Sequence, residues 1–238
     1  MTDDQRKTKG AGNLFRAAFK LTQPLLARYY RYQTSKKRVY KYRGIKVVVP
    51  PGVFHPKFTF STKVFVKHIQ LLDLKDKKVL ELGCGSGLIS MHAAAKGALV
   101  TATDINPQAL EGVRESAALN GLDVATVHSD LFEKVKPNDF DYILINPPYY
   151  PKAPANMSEN AWYCGQDFEY FTQLFSQLGR ETATTLMILS DDCDIEKIRS
   201  IATQKGFELH MVAQKQVMTE RNWIFELKNA GRKEEKIA

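Results

Sequence analysis

Cysteine is scarce in this chain, and what there is does not pair. Cys84, Cys164 and Cys193 are odd in number and far apart in 238 residues. That excludes a disulfide-stapled secreted scaffold and suits a reducing compartment. Cys-x-x-Cys is absent, and His55, His68, His92, His128 and His210 are scattered, so no metal site is expected. Long apolar runs are also missing. Stretches such as Leu186–Leu189 fall far short of the roughly 20 residues that span a bilayer, so no membrane partner is expected. Met1–Lys9 is polar with no apolar stretch behind it, and the expectation is therefore a cytoplasmic protein without a signal peptide.

The composition that remains, 44% hydrophobic and 25% charged, is that of a globular protein long enough to bury one full core. Its net charge of +8 is unevenly placed. Residues 1–43 carry 12 Lys/Arg against Asp3 and Asp4, whereas the remainder carries 22 basic and 24 acidic residues. Within that arm, Arg28-Tyr29-Tyr30-Arg31-Tyr32 and Lys36–Arg43 interleave cations with aromatics. Such a surface can neutralise phosphates and stack on bases, attract a ribosome or acidic protein, or pack its tyrosines on the body. The expected division is a basic extension over 1–52, one domain over 53–230 and a charged tail over 231–238.

Apolar spacing predicts two short helical pieces within Leu14–Tyr32, broken at Pro24, then a hairpin over Val39–Val49 turning at Gly44. Ser61 is placed to cap a helix running to about Leu72. From Lys78 onward strands alternate with helices. Strands are expected at Val79–Leu82, Ala98–Thr103, Val124–His128, Asp141–Ile145 and Thr184–Leu189, with Phe207–Ala213 and Val217–Leu227 as a closing antiparallel pair. Helices are expected at Leu88–Lys96, Pro107 to Gly121, Phe168–Leu178 and Asp194–Lys205. The rhythm predicts an α/β, Rossmann-like, mostly parallel sheet covered by helices on both faces.

Ligands of such sheets gather at the carboxyl ends of the strands. There the first strand of the rhythm runs into Glu81-Leu82-Gly83-Cys84-Gly85-Ser86-Gly87. A dinucleotide turn wants glycines at positions one, three and six, but here they fall at one, three and five, with Leu88 sixth. Glu81 would also repel a diphosphate, while a sulfonium with an amino-acid tail tolerates it. Asp104 closes the second strand about 20 residues on, where a carboxylate can accept two ribose hydroxyls. Asp130 closes the third, where it can accept an adenine amino hydrogen while Leu131 or Phe132 packs on the ring. About 60 residues after the turn stands Asn146-Pro147-Pro148-Tyr149, past the apolar run Tyr142–Ile145.

These motifs, together with Ile105-Asn106-Pro107 after Asp104, resemble those of class I S-adenosylmethionine-dependent methyltransferases, and most of all the HemK-like protein-glutamine methyltransferases. Ala161-Trp162 with Gly165 and Asp167 is similar to a segment that follows the signature in the short branch of that family. The resemblance runs roughly from Phe54 to Phe225. It implies a seven-stranded sheet with an antiparallel last strand, S-adenosyl-L-methionine as cofactor, and a translation-factor-like protein substrate. Related signatures in adenine-N6 and guanine-N2 enzymes leave RNA or DNA as the alternative acceptor, and a non-catalytic binding module as a third. Two departures stand out. Pro56-Lys57-Phe58-Thr59-Phe60 lacks the acid of the family's Pro-x-x-[Asp/Glu]-Thr, and the downstream glycine pair is incomplete, because Cys164 precedes Gly165.

An amide nitrogen is a poor nucleophile because its lone pair is delocalised. The side-chain carbonyl of Asn146 and the main-chain carbonyl of Pro147 can each accept one amino hydrogen, leaving the third direction for an incoming methyl. Those bonds strengthen as positive charge develops on nitrogen. Tyr149 stacks on the planar group in this reading, with Pro148 and Trp162 completing the substrate side. The expected cofactor contacts are Glu81, Gly83, Cys84, Gly85, Gly87, Asp104, Ile105, Asp130, Leu131 and Asn146. Cys84 is read as a small filler in the turn and not as a nucleophile.

Overall fold

Short buried strands with apolar residues on both faces pair in parallel when helices cover each side, and the β-α rhythm does so here. The computed structural model describes residues 34–179 and 183–231. The helical pieces expected within Leu14–Tyr32 and the tail from 232 lie outside the described residues. The chain first forms a hairpin of β1 (Arg38–Tyr42) and β2 (Ile45–Val49), turning at Gly44. There follow α1 (Ser61–Ile69), β3 (Lys78–Leu82), α2 (Leu88–Ala94), β4 (Leu99–Asp104), α3 (Pro107–Asn120), β5 (Val124–His128) and β6 (Tyr142–Ile145). The second half comprises α4 (Glu169–Gln177), β7 (Thr184–Ser190), α5 (Ile195–Gln204), β8 (Phe207–Val217) and β9 (Glu220–Asn229).

Seven strands form one sheet in the order β5-β4-β3-β6-β7-β9-β8. All neighbours up to β7 are parallel, while β9 runs antiparallel to both β7 and β8. The strand order reverses between β3 and β6, so the crevice beyond their carboxyl ends is where the architecture leaves room for a ligand. Alternate residues serve opposite faces. Val79, Leu144, Leu186, Ile188 and Ile224 join the cluster under α1, α2 and α3. Leu80, Leu82, Ile143, Ile145, Met187 and Phe225 join the cluster under α4 and α5. Ile143, Leu144 and Ile145 are wholly buried, and each such side chain contributes about 1.5–3 kcal/mol. That burial anchors the strand just ahead of Asn146.

The sequence places both ends of α3. Asn106 accepts the Gln108 amide as N-cap, Pro107 sits in the first turn, and Gly121 adopts φ +64 at the C-cap. Ser61 does not cap α1 as expected. The N-cap is Phe60, and Ser61 is a buried first-turn residue. The helix also ends at Ile69, short of Leu72. A hydroxyl that packs inside the domain cannot also face the open end of its helix.

The hairpin is bound to the sheet's helical layer. The Asn120 side chain accepts the Lys46 amide at 3.0 Å and donates to the Lys46 carbonyl at 2.6 Å, and the Val48 amide donates to Ser116 Oγ at 2.8 Å. This approach needs Gly112, because a Cβ there would lie 2.7 Å from the Val48 carbonyl. Tyr40 and Tyr42 meet His55 and His92 edge-on at 5.7 and 6.0 Å. These two tyrosines pack against the body. Lys37 pairs with Glu115 at 2.6 Å, an exposed contact of little energetic weight. Among the described residues no helix is long and apolar enough to cross a membrane.

Candidate functional site

The turn after β3 is held by the end of β4. The Cys84 amide donates to the Thr103 carbonyl at 2.8 Å, and the Gly85 amide donates to Asp104 Oδ2 at 2.8 Å. Asp104 Oδ1 takes the Asn106 amide at 2.8 Å. Gly83 and Gly85 adopt φ +70 and +49, a region in which a side chain would be strained. The two amides hold Asp104 in its ionised form, but burial outweighs them and pushes its pKa up. The Cys84 thiol is raised well above its ordinary value, chiefly by burial and then by the neighbouring carboxylates. This agrees with a filler and not a nucleophile.

Glu81 lies one layer deeper. Its Oε2 accepts the Ser90 amide at 2.7 Å and the Ser90 hydroxyl. Burial pushes its pKa from 4.5 to about 8; the Ser90 bonds oppose the shift and the Asp104 charge adds to it. Between these values the folded protein keeps a proton that the unfolded chain releases. The group's stabilising contribution is therefore complete below pH 4.5 and is lost as pH rises towards 8. Glu81→Gln leaves an oxygen for both Ser90 donors and removes the titration. Thermal melts of the ligand-free protein should therefore show a shallower decline in Tm from acid to mild alkali in the variant. Equal slopes would refute the assignment.

At the end of β5, Asp130 is exposed while Leu131 and Phe132 are buried. At the end of β6, Asn146 is half-buried and its Nδ2 donates to Thr62 Oγ1 at 3.1 Å. The side-chain carbonyl is then the end of this amide that does not meet Thr62. Tyr149 packs beside Tyr150, ring centroids 4.9 Å apart, and burial pushes its hydroxyl pKa up. Tyr150 is raised to about 12, chiefly by burial and then by Asp192, to which it donates at 3.3 Å. The segment after the tetrapeptide folds back over it. The Tyr149 and Tyr150 amides donate to the Trp162 carbonyl at 3.2 and 3.0 Å, and the Cys164 amide returns to the Tyr150 carbonyl at 3.0 Å. The Trp162 ring rests 4.9 Å from Phe54.

One cavity of about 270 Å³ joins these pieces. Its wall includes Glu81, Gly83, Cys84, Gly85, Asp104, Ile105, Asp130, Leu131, the whole of Asn146–Tyr149, and Trp162. Gly87 is not on the wall. A Cβ there would lie 2.6 Å from Val113 Cγ2, so the position packs closely on α3. Phe132 also stands off the wall, while Leu131 is on it. The sequence did not single out Thr62, Phe54, Tyr170 or Gln173, which also line the cavity. The one available hint was the altered segment Pro56–Phe60 just before Thr62.

The family model for the methyltransferase small domain matches residues 44–161. A protein of Methanocaldococcus jannaschii, provisionally named a protein N5-glutamine methyltransferase, is 43% identical over 111 residues, or 46% of this chain and 54% of that one. A ribosomal RNA small subunit methyltransferase C of Actinobacillus pleuropneumoniae is 32% identical over 114 residues, or 47% of this chain and 34% of that one. The chain thus matches about half of the first relative's length and about a third of the second's. Among solved structures, the E. cuniculi Mtq2–Trm112 complex, described as methylating the eRF1 translation termination factor, superposes with TM-score 0.58. It shares 19% identity and covers 75% of this chain and 99% of that one, a likeness of fold.

Proposed function

We propose that this chain, which is similar to the HemK-like class I S-adenosylmethionine-dependent methyltransferases, methylates a planar NH2 nitrogen, that of a glutamine side chain in a protein. One observation carries the reading. The glycine turn with its carboxylates and the Asn146 amide, already tied by its NH2 to Thr62, face a single cavity. When bound, S-adenosylmethionine supplies an electrophilic methyl carbon on a sulfonium. The cavity suits that group, because Asp104 and Asp130 offer carboxylates to a cationic, ribose-bearing ligand and the glycine turn admits its backbone closely.

Asn146 Oδ1 and the Pro147 carbonyl each take one hydrogen of the acceptor NH2, and Tyr149 supports its plane. The nitrogen lone pair is thereby aimed at the donor side of the cavity. As the nitrogen gains positive charge its two hydrogens bond more strongly, so the contacts favour the transition state over the ground state. Methylated and cationic, the nitrogen is acidic enough to release a proton without a dedicated base.

A protein amide is favoured over an RNA base by the charge of the wall. Among the described residues no Lys or Arg lines the cavity, and of its acids Glu81, Asp104 and Asp130 are the expected donor contacts while Glu169 is not one of them. The nearby Lys152 lies 4.5 Å over the Tyr163 ring, and Arg221 lies 5.7 Å over Trp223. A phosphate backbone entering here would meet no cation on the described wall. Incubation with tritiated S-adenosylmethionine and fractionated cell extract is the test. Label is expected in protein, on a glutamine side chain that releases labelled methylamine on acid hydrolysis. Label confined to RNA would replace the acceptor with an exocyclic base amine, and no label in either fraction would refute transfer.

A further inference from the structure

An asparagine amide can face a substrate with either end, and only one end works here. With Oδ1 towards the acceptor it receives a hydrogen; with Nδ2 there, two N–H groups confront each other. Burial of the Asn146 backbone does not choose between them, since the two orientations have nearly the same shape. The choice falls to what the other end of the amide touches, and that is Thr62 Oγ1 at 3.1 Å.

A hydroxyl alone does not settle the matter, because it has one hydrogen and lone pairs as well. Thr62 would satisfy Asn146 Oδ1 by donating as readily as it satisfies Nδ2 by accepting. With Asn146 Nδ2 donating to Thr62, the second hydroxyl gives the Thr62 hydrogen another place to go. Thr59 Oγ1 lies 3.4 Å from Thr62 Oγ1, and both threonines are buried. When Thr62 gives its hydrogen to Thr59, its oxygen faces Asn146 as an acceptor only. Asn146 must then present Nδ2 to Thr62 and Oδ1 to the cavity. Geometry supports the relay: both hydroxyls sit at the start of α1, whose Phe60 N-cap makes no side-chain cap bond that would compete for the site.

We infer that Thr62, backed by Thr59, is the positioning residue that sets which way the Asn146 amide faces, a role that deepens the N-methyl transfer proposed above and rests on it. Thr59 occupies the place in Pro56–Phe60 where the resembling family has an acid, so the altered segment still supplies an oxygen for the relay.

The test combines two measurements. Thr62→Val removes the hydroxyl at nearly constant volume, and Thr62→Ser restores it. With tritiated S-adenosylmethionine and the acceptor fraction that the wild-type protein labels, Thr62→Val should lower kcat about 10- to 100-fold, the range expected when an oriented hydrogen bond is lost. Donor affinity by calorimetry should stay unchanged, and Thr62→Ser should recover most of the rate. In an Asn146→Ala background Thr62→Val should cost little more, because Thr62 acts through Asn146. The second measurement needs no turnover: solvent exchange of the Asn146 side-chain NH2 by NMR should be slow in the wild type and in Thr62→Ser, and fast in Thr62→Val. A parallel fall in donor affinity, an additive double variant or unchanged exchange would each overturn the inference. If the wild type labels no fraction, the functional reading fails while the exchange rates still decide the orientation.

Discussion

Asn146→Ala should slow methyl transfer about 10- to 100-fold, the span that one oriented hydrogen bond of about 1–3 kcal/mol supplies while the Pro147 carbonyl keeps the other, and should leave S-adenosylmethionine affinity nearly intact. Asn146 stands at the end of β6, behind three wholly buried residues, and its side chain is held by one bond to Thr62. Truncation therefore removes a contact with the reacting nitrogen without disturbing the strand that carries it. Asn146→Asp is the informative partner. It keeps oxygens that accept hydrogens from the substrate, but it has no hydrogen for Thr62 and brings a charge into a cavity that already holds carboxylates. Its rate should fall between those of wild type and Asn146→Ala. Single-turnover kinetics with calorimetry of donor binding give both quantities. Equal turnover in wild type and Asn146→Ala would remove the proposed chemistry.

The second large effect is expected at Asp104. Asp104→Ala deprives the Gly85 and Asn106 amides of their acceptor at once, and each donor left without a partner costs about 1–3 kcal/mol. The glycine turn, held on this side by that carboxylate, should loosen. With the proposed ribose contact also gone, donor affinity should fall about 100-fold or more. Asp104→Asn offers one oxygen in place of two and turns an NH2 towards one of the amides, so it should rescue only in part. Calorimetry alongside thermal melts separates the losses. A variant that melts lower yet binds donor as well as wild type would show Asp104 to be a structural clamp alone.

The parts of the fold that local chemistry specifies were legible beforehand. Asn106-Pro107 and Gly121 announced both ends of α3 because capping depends on a few adjacent residues. The short apolar runs of β3, β6 and β7 announced buried parallel strands, and the closing pair of β8 and β9 followed from its two runs. Ser61 misled because a serine before an apolar run reads as a cap whether its hydroxyl points to the helix end or into the interior. Tyr40 and Tyr42 looked like stacking surface among cations, yet His55 and His92, distant in sequence, occupy their edges.

By itself the sequence determined the class of sheet, the glycine turn and the identity of the Asn146 tetrapeptide, since each is written in consecutive residues whose backbone preferences act locally. Only the tertiary structure decided which of those residues share a cavity, that Gly87 packs closely on α3, and that Thr62 holds the Asn146 amide from 84 positions away. Hydrogen-bond direction and burial depend on what the folded chain brings alongside a group, and sequence spacing does not encode that for residues on separate elements.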